Sequence, residues 1–224
     1  MSDQPLPAAS LPRRAPREHH SQFSLFRERR FAPFFWTQFL GALNDNVFKV
    51  GFSSLVTYQA ARFSGVDPKT AAFLISAIFI LPFVLLSATS GQIADKFDKA
   101  TLTRFVKTFE IVVMLIGGAG FVTHHAPLLF LCTFLMGVHS TLFGPVKYAY
   151  LPQHLEDREL VGGNGLVEMG TFVAILFGTI IGGAAAGSPE HGAWMLAGTC
   201  FCVALAGRFI SGRVPVSPPS QPEL

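Results

Sequence analysis

Apolar residues along this 224-residue chain come in long unbroken runs, with neither the strict alternation of half-buried strands nor the one-sided stripe of soluble helices. Residues 70–94 carry no charged side chain, and residues 111–146 carry none beyond His124, His125 and His139, counted as neutral. About 20 consecutive apolar residues suffice to cross a bilayer as a helix. The pattern therefore predicts six membrane-length segments, over 31–61, 70–94, 101–123, 127–148, 162–187 and 191–210. Before them, residues 1–30 are Pro-rich and basic and are expected to form a disordered tail, neither a signal peptide nor a folded unit. After the six-helix bundle, assigned to 31–211, residues 212–224 are expected to be a Pro-rich linker at which a longer chain is cut short. The fold class expected is an all-α membrane protein.

Composition strengthens this picture. Half the residues are hydrophobic and 14% are charged, against roughly 25% charged in an average soluble domain. The 23 Phe and 21 Gly suit lipid-facing surface and close helix approach. Cys132, Cys200 and Cys202 fall in apolar runs without metal-ligand spacing and are expected to be small core residues.

The net charge of +3 is informative through its placement, and it gives no reason to expect a nucleic-acid partner. Of the 17 Lys and Arg, 14 fall in the tail, the turns after segments two and four, and the C-terminal stretch. The opposite turns hold only Arg62 and Lys69, and Lys49 lies within a segment. Basic residues stay cytoplasmic, so both termini are expected on that side.

Several polar groups interrupt the apolar runs. "FLGALNDNVFKVG", residues 39–51, sets Asn44, Asp45, Asn46 and Lys49 inside segment one. An ionisable group there costs roughly 2.5–3.5 kcal/mol on insertion scales and normally faces a protein interior or a wet cavity. Asp45 and Lys49, four apart, share a helix face. Two readings follow: an internal ion pair that holds segment one to its neighbours, or, with Asn44 and Asn46, the wall of a hydrated path. Segment four carries His139, Ser140 and Thr141 near mid-depth and a break at Gly144-Pro145; His139 is either a packing residue or a second cavity group. In segment five, Asn164, Glu168, Thr171 and Ile175 follow helical spacing, which places Asn164 and Glu168 in a gate or vestibule near the cytoplasmic end. Gly178 and Gly182 form a GxxxG pair that reads as close helix packing. His154 and Asp157 read as solvated loop residues. The chain shows no HxxxxD acyltransferase box, no Gly-rich phosphate loop and no Cys/His metal array, so no catalytic residue, metal or cofactor is expected.

The turn "SGQIADKFDKAT" gives Gly91, Asp95, Lys96 and Lys99 the G-x-x-x-D-[RK]-x-x-[RK] spacing that resembles the hallmark loop of the major facilitator superfamily, with Asp98 standing where that pattern usually has Gly. Together with "GALNDNVFK", "FGPVKYAYLPQHL" and "NGLVEMGTFVAILFGTIIGG", it resembles the lysophospholipid transporter branch of that superfamily over roughly residues 30–215. The resemblance implies that the six helices form one half of a facilitator fold, a 3+3 inverted repeat, and that a second six-helix half lies opposite. It implies that helices one and four line the cavity, which makes Asn44, Asp45, Asn46, Lys49 and His139 cavity residues, and that Gly91, Asp95, Lys96 and Lys99 form a conformational latch. The substrate implied is a lysophospholipid, chiefly lysophosphatidylethanolamine, carried to the cytoplasmic leaflet of a bacterial inner membrane and reacylated by a linked or neighbouring acyltransferase. A facilitator for another solute, such as a proton-coupled drug or metabolite exporter, and a non-transport membrane scaffold are the alternatives.

Overall fold

The computed structural model describes residues 21–63 and 65–223, and its long elements are six helices: α1 (Ala32–Tyr58), α2 (Pro68–Lys96), α3 (Lys99–Val122), α4 (Ala126–His154), α5 (Asp157–Ala186) and α6 (Gly192–Ser211). Short polar residues start two of them. Asp67 accepts from the Thr70 amide at 2.9 Å to cap α2, and Asp98 accepts from the Thr101 amide at 2.7 Å to cap α3. Glu156 and Glu159 form a reciprocal capping box at the start of α5. Five of the helices are long and apolar enough to cross a membrane; α1, at 27 residues, has the length but carries the polar groups of residues 44–49. The chain is a multi-pass membrane protein, with Phe73, Val84, Phe105, Phe172 and Phe209 among the large apolar side chains turned outward.

Helix α1 packs against α5 and α6, α4 packs against α2 and α3, and α3 packs against α6. Exchanging the first three helices for the last three maps α1–α5 onto α2–α4, α1–α6 onto α3–α4, and α3–α6 onto itself, as an internal 3+3 repeat requires.

Three expectations change. Helix α4 runs through Pro145 and Pro152 to His154 without a break at Gly144-Pro145, because packing against α2 and α3 holds the helical path although Pro145 donates no backbone bond. His154 ends α4 instead of lying in a loop, its ring stacked 4.0 Å from that of Tyr150. The expected tail over 1–30 lies outside the described residues up to residue 20, but Gln22–Arg27 forms a short 3-10 helix with Leu25 buried. Arg30 then makes a bidentate contact with Glu159 at 2.7 and 2.9 Å and donates to the His154 carbonyl at 2.9 Å.

Two apolar cores fill the bundle, and a polar belt separates them. On α3 one core ends at Val106 and the other begins at Val113; on α4 the same change falls between Met136 and Phe143. Lys107, Glu110, His139, Ser140 and Thr141 lie in those intervals.

Candidate functional site

The belt is organised by Glu110, a residue the sequence reading passed over. Its carboxylate is 2% exposed. Oε1 accepts from Asn44 Nδ2 of α1 at 2.8 Å, Oε2 accepts from Lys107 Nζ of its own helix at 2.7 Å, and His139 Nε2 of α4 lies 3.4 Å from Oε2. One carboxylate thus bonds to α1 and to its own α3 and lies against α4, near the middle of each helix. A charge this deep persists only when paired and hydrogen-bonded, and both conditions hold. Lys107, expected among the cytoplasmic charges at a helix end, is instead 1% exposed and belongs to this belt. Its ammonium occupies a slot that glycines leave open: a Cβ on Gly41 of α1 would stand 2.6 Å from Nζ, and one on Gly207 of α6 would stand 3.5 Å from it.

The three consecutive polar residues of α1 point in three directions, as successive positions on a helix must, being about 100° apart. Asn44 reaches α3. Asp45, half-buried, accepts from Ser140 Oγ of α4 at 2.7 Å. Asn46 donates to the Ala42 carbonyl of its own helix at 2.7 Å and lies against α5, where its Cβ would be 2.7 Å from a Cβ added at Gly178. Asp45 and Lys49 do not form an ion pair among the described residues. The Lys49 ammonium sits instead over the Phe79 ring of α2, 4.0 Å from its centroid. Asn44 Oδ1 and His139 Nε2 are buried without hydrogen-bond partners.

The remaining candidates lie outside this belt. Glu168 pairs with Lys147 of α4 at 2.5 Å, and Asn164 donates to the Leu160 carbonyl one turn back. Gly178 and Gly182 bring α5 onto the backbone of α1, where added Cβ atoms would lie 2.8 Å from the Leu43 carbonyl oxygen and 2.7 Å from the Val47 carbonyl oxygen. Of the three cysteines, Cys132 and Cys200 are buried and Cys202 is exposed, so the last is not a core residue. Among the described residues, no three or more His, Cys, Asp or Glu side chains come together as metal ligands.

The hallmark turn spans the end of α2 and the start of α3. Gly91 is half-buried with no neighbour within 4 Å of an added Cβ, Lys96 is exposed, and Lys99 is fully buried. Asp98, the residue that departs from the usual pattern, caps α3 and also accepts from the Ser217 amide at 2.7 Å. Burial pushes its carboxyl up, and the hydrogen bonds from Thr101 and Ser217 together with Arg104 outweigh it, leaving the group below the ordinary carboxylate range.

The chain is also similar to known proteins. Lysophospholipid transporters of Pectobacterium carotovorum (strain PC1) and Photorhabdus laumondii are 27% identical over 188 residues and 32% identical over 147 residues, covering 83% and 66% of this chain. One from Escherichia coli O1:K1 is 31% identical over 146 residues. The chain spans 42% of the first relative's length and 34% of each of the other two. The family model described as Major Facilitator Superfamily matches residues 7–224. The chain belongs to the Major Facilitator Superfamily.

Proposed function

We propose that this chain forms the N-terminal six-helix half of a transporter that moves lysophospholipids to the cytoplasmic leaflet of a bacterial inner membrane by alternating access. The observation that carries the reading is the division of charge within the belt. Glu110 and Lys107 neutralise each other, whereas Asp45 holds a single hydroxyl donor and Lys49 holds only an aromatic face. An uncommitted carboxylate and an uncommitted ammonium one helical turn apart complement a zwitterionic headgroup, amine to Asp45 and phosphate to Lys49. His139 and Asn44, each with a spare buried polar atom, extend the polar wall from α1 to α4. The relatives' names point to the same substrate class.

A second six-helix half covers this wall in the working transporter, because lipid cannot satisfy polar groups. The latch role of Asp95, Lys96 and Lys99 and the gate role of Glu168 belong to the same proposal, and both termini lie in the cytoplasm on the distribution of basic residues. Reacylation falls to a separate acyltransferase activity.

The test is uptake of labelled lysophosphatidylethanolamine into vesicles that hold this chain with a co-expressed C-terminal half. Asp45→Asn abolishes uptake of the amine-bearing lipid and has less effect on lysophosphatidylglycerol, which lacks the amine; Lys49→Met impairs both. Equal, unimpaired uptake by both variants refutes the assignment.

A further inference from the structure

The stretch after α6 does not leave the bundle as a free linker. It turns back across the end where the α2–α3 and α4–α5 turns lie, with Val214 and Ser217 almost wholly buried. The Lys99 amide donates to the Ser217 carbonyl at 3.0 Å, and the Ser220 and Gln221 amides donate to the Asp95 carbonyl at 2.9 and 3.0 Å. The Lys99 ammonium donates to the Pro218 carbonyl at 2.8 Å. These contacts hold it to the first three helices. Gln153, near the end of α4, accepts from Ser217 Oγ and donates to the Pro218 carbonyl at 3.3 Å, which holds it to the last three. Residues 214–221 thus bridge the two internal repeats at the hallmark turn.

His154 adds a third contact to the second attachment. Its Nδ1 faces the Tyr150 carbonyl at 3.1 Å and its Nε2 faces the Val216 carbonyl at 3.3 Å. Both neighbours are carbonyl oxygens, which only accept. A neutral imidazole carries one N–H and satisfies one of them, whereas an imidazolium donates to both. The charged groups around it come from every adjoining element. Arg30 donates to the His154 carbonyl, and its charge is offset by Glu28 and Glu159, which pair with it. Asp98 and Lys99 face the strap from the α2–α3 turn.

We infer that residues 214–221 are a pH-sensitive strap: with His154 protonated it ties α4 to the hallmark turn, and with His154 neutral its hold on α4 loosens. The strap is a conformational element beside the latch, separate from the polar belt and independent of which solute is carried. It also gives Asp98 a task that the usual Gly at that position cannot perform.

Hydrogen exchange of the full chain in lipid nanodiscs tests this, with each amide referenced to its intrinsic rate at the same pH. The strap lifts as one piece, so loosening at α4 is read at the amides that bind the hallmark turn: at about pH 6 the amides of residues 217, 220 and 221 are slowed by more than about tenfold, and that protection falls several-fold by about pH 8. His154→Phe keeps the stack on Tyr150 and removes the pH difference; His154→Gln, with one permanent amide donor, removes it too if the Phe variant fails to fold. Asp98→Asn lowers protection at both pH values while α3 and α4 remain protected. Protection that is absent in the wild-type chain, equal at the two pH values, or equally pH-dependent in both His154 variants overturns the inference.

Discussion

Lys107 Nζ and Glu110 Oε2 stand 2.7 Å apart, three residues along one helix, with side chains only 1% and 3% exposed. Each charge is tolerable at that depth because of the other. Glu110→Leu leaves an unpaired buried ammonium and costs about 3–5 kcal/mol, whereas Glu110→Leu with Lys107→Met removes both charges and leaves only the Asn44 amide without its partner, a smaller cost of about 1–3 kcal/mol. Thermal unfolding of the purified variants in detergent gives the comparison; a double variant as unstable as the single would show that the pair is more than mutual neutralisation.

The slot that holds Lys107 predicts unequal glycine effects. Gly41→Ala places a methyl 2.6 Å from the ammonium, while Gly207→Ala creates an ordinary contact at 3.5 Å. The first destabilises by about 1–3 kcal/mol and the second by much less. If Lys107 is replaced by Met, whose flexible end has no charge to keep paired, the Gly41→Ala cost shrinks, which a double-mutant cycle measures.

Much of this architecture was legible in the sequence, including six long helices, five of them long and apolar enough to cross a membrane, and the close packing at Gly178 and Gly182, though not its partner α1. The centre of the belt was not. The charge-free interval begins at residue 111, one position past Glu110, and Lys107 falls with Lys99 and Arg104 among the charges counted to the cytoplasmic turn and helix ends after segment two. A Lys and a Glu at i and i+3 within an apolar segment were the available signal, the same reasoning that singled out Asp45. The divergence of Asn44, Asp45 and Asn46 follows from helical geometry alone, but which neighbour each one meets depends on how the helices pack, which no local pattern specifies.

Asp98 makes stability depend on acid. Its carboxyl lies below the ordinary range in the folded chain, so its contribution is full above the usual carboxylate pKa and is lost as pH falls through the depressed folded value. Asn also caps helices well, so Asp98→Asn isolates the charge. Between about pH 5 and pH 3 the melting temperature of the wild-type chain should fall toward that of the variant; parallel curves throughout would show that the carboxylate's charge does not matter.

The Lys147–Glu168 pair, with the Glu168 side chain 46% exposed, should contribute less than about 1 kcal/mol to stability. Glu168→Gln is therefore expected to leave unfolding unchanged. A transport defect in that variant, measured with the second half present, would then report a gate and not a misfolded bundle.

Orientation is open to a labelling test. After Cys202, which is exposed, is changed to Ser, single cysteines at the exposed positions Glu190 and Glu223 should differ toward an impermeant thiol reagent in intact cells, with only position 190 labelled. Labelling at 223 alone would reverse the topology.

The glycines of α5 and α4 have a mechanical consequence. Gly178 and Gly182 set α5 directly on the main chain of α1, and Gly137 sets α4 on α2 at the Phe79 carbonyl and Pro82. At these glycines no side chain stands between the helices, so each pair can slide there very little without steric collision. Four of the six helices thus form two stiff planks, α1 with α5 and α2 with α4. Flexing of one plank against the other runs along the line that the Asp45–Ser140 hydrogen bond crosses.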